Sequence, residues 1–221
     1  MTALEHHLPV TRTARYQLLG TPSPGLREAW FVLHGHAQLS AYFIRHFAAL
    51  ADGTRLVVAP EALNRFYLDN TTWHGSKHAR VGATWMTRED READIDDYVH
   101  YLDALYAHVM EQLAGPRPRI VVLGFSQGVA TACRWLARGQ ARADTLVLWA
   151  GPMPIEMDAA SSAPLAGMRI VRVMGEADDM GSPEAMRAED TRYAAMGIQA
   201  ETVRFAGGHQ VDEGTLLRLR V

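Results

Sequence analysis

Six short apolar runs recur along the chain: Trp30 to Leu33, Leu56 to Ala59, Ile120 to Leu123, Leu146 to Trp149, Ile170 to Met174 and Thr202 to Phe205. Most are separated by segments of helical spacing. Runs that are continuously apolar rather than alternating mark strands buried on both faces. Strand and helix in alternation then imply an α/β fold, with a mostly parallel central sheet flanked by helices on both faces. Ligands of such sheets bind beyond the carboxyl ends of the strands. The stretch from Val10 to Leu19 reads as an antiparallel edge strand.

Three helices have legible limits. From Arg91 to Leu113, the residues Ile95, Tyr98, Val99, Leu102, Leu105, Tyr106, Val109 and Leu113 recur every three or four positions and form one apolar face. Thr87 and Asp90 resemble a capping box ahead of it, and Gly115 with Pro116 closes it. A second helix runs from Gln127 to Arg138, with Val129, Ala130, Cys133, Leu136 and Ala137 inward and Gly139 as its stop. The third begins at Ser182 and Pro183 and ends before Gly197. Between Pro60 and Arg88 there is little periodicity but a concentration of aromatic residues, which suggests a segment that lines or covers a site.

With 221 residues and no linker-like run, residues 1–221 are expected to form a single domain. Lys and Arg total 22 against 25 Asp and Glu, a net charge of −3, and the basic residues do not cluster. Nucleic acid is therefore not an expected partner. One cysteine, Cys133, rules out an internal disulfide. His6, His7 and Pro9 interrupt the N-terminus where a signal peptide needs an apolar stretch, and no segment reaches the ~20 apolar residues of a membrane span. A cytoplasmic protein without an integral membrane segment is the expectation; the oligomeric state is open.

Gly124, Phe125, Ser126, Gln127 and Gly128 join an apolar strand directly to a helix. A serine on so sharp a turn is strained, its neighbours need to be small, and its hydroxyl is displayed at the sheet edge. Ser126 is the candidate nucleophile. A serine hydroxyl needs an adjacent base, usually a histidine oriented by a carboxylate. Behind strand 170–174 come Gly175, Glu176, Ala177, Asp178 and Asp179, and behind strand 202–205 come Gly207, Gly208 and His209. His209 is the candidate base and Asp178 the candidate acid, with Asp179 its rival. Acyl transfer also requires donors for a developing oxyanion. The backbone N–H of Gln127 is one candidate and that of His36, in the loop His34 to Gln38, the other. His34 and His36 have no further ligand types at metal spacing around them, so neither a metal nor a cofactor is expected. Phe66, Tyr67, Trp73, Trp85, Trp149 and Met180, together with Met153, are candidates for an apolar substrate pocket.

The leucine, histidine and glycine that close the first inner strand, the GFSQG elbow, the glycine-spaced aspartate and the late GGH resemble the carboxylesterase, phospholipase and acyl-protein thioesterase group, over nearly the whole chain. The segment from Pro60 through Tyr67 resembles its bacterial branch, where that loop lines the acyl pocket. The resemblance implies an α/β-hydrolase fold without a large cap domain, and a catalytic triad of Ser126, Asp178 and His209. It also implies hydrolysis of a small-molecule carboxylic ester, with a short to medium acyl or aryl group, through an acyl-enzyme. Thioesters and lysophospholipids are alternative substrates, and a non-catalytic ligand-binding scaffold is a third reading. Two features depart from the group. Ala37 stands where relatives carry a second glycine, and a proline four residues after the acid points to Asp179 whereas the spacing from Gly175 points to Asp178.

Overall fold

A computed structural model describes residues 2–68 and 79–219. In chain order its elements are strands β1 (Tyr16–Leu19) and β2 (Glu28–Leu33), helix α1 (Ser40–Phe43) running into a 3₁₀ turn (Ile44–Leu50), and strands β3 (Arg55–Pro60), β4 (Asn64–Tyr67) and β5 (Val81–Thr84). Then come helix α2 (Arg91–Leu113), strand β6 (Arg119–Phe125), helix α3 (Gln127–Arg138), strand β7 (Thr145–Trp149) and helix α4 (Ala159–Ser162). Strand β8 (Arg169–Gly175), helix α5 (Pro183–Ala195), strand β9 (Ala200–Phe205) and helix α6 (Glu213–Arg218) complete it.

Seven strands form one sheet in the order β1-β3-β2-β6-β7-β8-β9. Only β1 runs antiparallel to its neighbour, with Tyr16 opposite Pro60; it is the expected edge strand, confined to four residues. Successive residues of each inner strand alternate between two cores. Phe31, Leu33, Val122, Leu146 and Leu148 face α2 and α3, while Trp30, Val32, Leu123, Val147 and Val173 face α6 and the 3₁₀ turn. Two apolar faces per strand explain the unbroken apolar runs. The fold is that of an α/β-hydrolase.

Four tryptophans are fully buried, and each Nε1–H has a partner: Trp30 donates to Glu28, Trp85 to the His34 carbonyl, Trp135 to Asp103 and Trp149 to the Gln210 carbonyl, at 2.8–2.9 Å. Each indole thus combines a large apolar burial with a satisfied donor, so it locks orientation as well as adding stability.

Helix α2 has the expected limits, but its start is built differently. Asp90 occupies the N-cap position with φ +47° and no side-chain bond to the helix. Thr87 instead spends its hydroxyl on the Glu89 N–H, at 3.1 Å, and its own N–H on Asp94. That local turn replaces the capping box. At α5 the expected cap is present: Ser182 Oγ accepts from the Ala185 N–H at 3.2 Å, behind Pro183. Within the segment read as irregular, β4 and β5 pair as an antiparallel ribbon, Asn64 opposite Thr84. No helix among the described residues is long and apolar enough to cross a membrane.

Candidate active site

Strand β6 turns into α3 at Ser126, whose φ of +54° and ψ of −119° place a non-glycine residue in a sparsely populated region. Such strain costs about 1–3 kcal/mol and needs outside support. Some of it comes from the Ser126 N–H, which donates to the Trp149 carbonyl at 2.8 Å, and from its carbonyl, which accepts from Val129 at 3.0 Å. The rest is close packing. A methyl on Gly124 would lie 2.2 Å from the Gly128 carbonyl oxygen, and one on Gly128 would lie 2.2 Å from that of Leu33. Only glycine lets the strand, the helix and β2 approach this closely.

His209 arrives on the loop after β9, and Asp178 on the loop after β8. The two loops are laced together: Glu176 donates to the Phe205 carbonyl and Ala177 to that of Gly207, both at 2.9 Å. Trp149 fixes the following residue through the Gln210 carbonyl. The result is a bond of 2.9 Å between His209 Nδ1 and Asp178 Oδ2. Asp178 is buried, and its Oδ1 also accepts from the Met180 N–H at 3.0 Å. With Nδ1–H donated to a carboxylate, the other ring nitrogen is left as the acceptor. The imidazole lies on the ring of Phe125, centroids 5.0 Å apart, beside the elbow. Asp179 is exposed, and no hydrogen bond joins it to His209 among the described residues. Ser126 Oγ and His209 Nε2 have no hydrogen-bond partner among the described residues; such bonds often close only around substrate.

The loop from His34 to Gln38 packs against the same elbow. A methyl on Gly35 would lie 3.1 Å from Ser126 Cβ. Ala37 takes the left-handed conformation, φ +65°, that a glycine would adopt at less cost. Docking on β5 supports it: the Ala37 N–H donates to the Ala83 carbonyl at 2.9 Å, and Ala83 donates back to Gln38 at 3.1 Å. Gly82 provides the room, since a methyl there would lie 2.5 Å from the Ala37 oxygen. Among the described residues, the backbone N–H groups of His36 and Gln127 donate to no partner and remain available as donors.

His34 is fully buried. Its Nδ1 bonds the Gly35 carbonyl at 2.7 Å and its Nε2 accepts from the Ala62 N–H at 3.1 Å, so both nitrogens serve the loop. Burial holds this imidazole down at about 4, from an ordinary 6.5. Between those values the unfolded chain binds a proton that the folded chain does not. The contribution of neutral His34 to stability is therefore complete above about pH 6.5 and is lost as pH falls toward 4, a swing on the order of 3 kcal/mol. Urea unfolding at about pH 7.5 and about pH 4.5 should show the wild type losing more stability over that interval than His34→Gln; equal losses would remove His34 as the source.

The six aromatic and methionine candidates for the pocket are dispersed. Phe66 stacks on His36 with centroids 5.3 Å apart, beside the elbow loop, and Tyr67 is exposed on β4. Trp73 lies outside the described residues. Trp85 and Trp149 are core residues, withdrawn from any lining by complete burial and by their hydrogen bonds to His34 and Gln210. Met180 stands at the rim of a cavity of about 620 Å³, with Met153 inside it. Most of that cavity's walls were not anticipated, although Arg172, a charge inside an apolar run, was a visible signal. Also unforeseen is the Gln127 side chain, which accepts from the Trp85 N–H at 3.2 Å and donates to the Met86 carbonyl at 3.0 Å. It ties the start of α3 to the chain beyond β5.

Similar folds are found among solved structures. Esterase PE8 matches with a TM-score of 0.65 and 19% identity, over 95% of this chain and 100% of that one. A carboxylesterase from Mesorhizobium loti matches with 0.66 and 18%, over 93% and 92%. An acyl-protein thioesterase 2 from Zea mays matches with 0.65 and 15%, over 94% and 96%. At such identities the likeness establishes the fold. No curated protein matches the sequence. The sequence profile of the family described as serine hydrolase (FSH1) matches residues 29–213, a span that contains the elbow, both flanking loops and the late histidine. The chain belongs to the FSH1 serine hydrolase family.

Proposed function

We propose that the chain hydrolyses carboxylic esters of short to medium acyl or aryl groups through an acyl-enzyme on Ser126. The observation that carries this reading is the 2.9 Å pair of His209 and Asp178 standing beside an elbow serine at φ +54°. In the reaction His209 Nε2 takes the Ser126 proton as Oγ attacks the ester carbonyl. The oxyanion of the tetrahedral intermediate receives the backbone N–H groups of His36 and Gln127, each worth about 3–4 kcal/mol in such a role. His209 then returns the proton to the departing alcohol, and a water molecule, deprotonated by the same imidazole, releases the acid. Asp178 holds the ring in the required tautomer and stabilises its charged form.

Thioester cleavage shares the acylation step, and the Zea mays neighbour is named for it, so a thioester is the second reading. The test is turnover of p-nitrophenyl acetate beside an acetyl thioester of comparable leaving-group acidity. Faster ester hydrolysis supports the first reading, faster thioester hydrolysis the second, and turnover of neither rejects both.

A further inference from the structure

An oxyanion hole works only when its two donors converge on one point before the charge develops. The donors here, the backbone N–H groups of His36 and Gln127, stand on separate elements. Strands β2 and β6 lie side by side with Leu33 opposite Gly124, but each donor comes three residues beyond that pair, where no ladder hydrogen bonds hold the chain. Contacts outside the sheet must set their spacing.

One short segment, residues 82–86 at the end of β5, touches both. On the His36 side, Ala83 accepts from the Ala37 N–H at 2.9 Å and donates to the Gln38 carbonyl at 3.1 Å, and Trp85 Nε1–H donates to the His34 carbonyl at 2.8 Å. The Gln38 side chain closes that loop on itself by accepting from the Gly35 N–H at 2.8 Å. His36 is thus held from both sides while its own N–H stays unbonded. On the other side, the Gln127 amide is engaged at both ends: Nε2 donates to Thr84 Oγ1 at 2.9 Å and to the Met86 carbonyl at 3.0 Å, and Oε1 accepts from the Trp85 N–H at 3.2 Å. The buried Thr84 hydroxyl donates to the same Met86 carbonyl at 2.9 Å. An amide whose donors and acceptor are all engaged has one orientation. Among the described residues, every hydrogen bond of this side chain runs to the segment that also holds the other donor, and none goes to α3 itself.

We propose that residues 82–86 brace the oxyanion hole, and that the Gln127 side chain and the Thr84 hydroxyl are positioning groups that fix the donor of Gln127 relative to that of His36. The proposal rests on the acyl-enzyme reading of Ser126. Neither group touches substrate; each acts through a backbone N–H. Loss of a whole oxyanion donor costs about 10²–10³-fold in rate, and a misplacement of about 1 Å can cost about 10²-fold. Releasing the brace should therefore weaken binding of the transition state and leave binding of the ground state nearly as it was.

The experiment measures competitive inhibition of p-nitrophenyl acetate hydrolysis by trifluoromethyl hexyl ketone and by methyl hexyl ketone. With the fluorinated ketone, Ser126 Oγ adds to the carbonyl carbon, His209 takes the proton and the carbonyl oxygen becomes an anion in the hole; the methyl ketone binds without a stable adduct. The wild type should bind the fluorinated ketone about 10²-fold or more tighter. In Gln127→Leu that inhibition should weaken by about tenfold or more, in step with kcat/KM, while the methyl ketone changes by less than about twofold. Thr84→Val should act in the same direction, and Thr84→Ser, which keeps the hydroxyl, should return to within about threefold of the wild type. Inhibition constants do not depend on how much of a preparation is folded, and the Thr84 pair decides by itself should Gln127→Leu not fold. Unchanged inhibition by the fluorinated ketone in Gln127→Leu or in Thr84→Val, equal weakening of both ketones, or a Thr84→Ser variant as weak as Thr84→Val would each overturn the proposal. A wild type that neither hydrolyses the acetate nor prefers the fluorinated ketone would overturn the reading of Ser126 and this proposal with it.

Discussion

Ser126→Ala should lower kcat for p-nitrophenyl acetate by about 10⁴-fold or more while leaving the protein folded. The nucleophile is the one group in the proposed reaction that no neighbour can replace, so its removal leaves only the oxyanion donors and binding. The effect on stability should be small, within about 0.5 kcal/mol, because Ser126 Oγ has no hydrogen-bond partner to orphan among the described residues and the backbone remains L-configured at φ +54°. Steady-state kinetics beside a thermal unfolding curve checks both halves. A variant within tenfold of the wild-type rate would show that the elbow hydroxyl does not attack.

Asp178→Asn should lower kcat by about 10⁴-fold, whereas Asp179→Asn should change it by less than about threefold. Asp178 accepts two bonds, one from the His209 ring and one from the Met180 N–H. An asparagine has a single acceptor atom. If its oxygen stays with Met180, its amide presents N–H to the imidazole and selects the tautomer whose Nε2 carries the proton and cannot act as a base. Asp179 is one residue on but faces solvent at the cavity rim. The two single variants assayed side by side decide the assignment, and a larger loss at Asp179 would transfer the role to it.

The parts of this molecule that were legible in the sequence are those with a strong local signal. Continuous apolar runs exposed the inner strands because both faces of each are buried, and Gly124 with Gly128 marked the elbow because no larger residue fits there. The choice between Asp178 and Asp179 was not legible. Both follow Gly175 closely, and which carboxylate turns toward His209 depends on the lacing of the β8 and β9 loops, which are far apart in sequence. Ala37 shows the same limit: its left-handed conformation is possible because Gly82, on another strand, leaves space for it. Two of the aromatic candidates, Trp85 and Trp149, are buried in the core for a different reason. Trp85 and Trp149 offer a ring and an N–H wherever they sit, and only the positions of the His34 and Gln210 carbonyls make them core braces. Ribbon β4–β5 was hidden because its strands are four residues long and carry Asn64, Arg65 and Gly82, which dilute the apolar pattern.

In the proposed reaction one hydroxyl, that of Ser126, forms the covalent intermediate. Labelling the wild-type protein with a fluorophosphonate and locating the adduct by peptide mass spectrometry measures this directly. A single phosphonylated residue, Ser126, is expected, with activity lost in proportion to labelling. An adduct on another residue, or full activity retained after Ser126 is labelled, would contradict it.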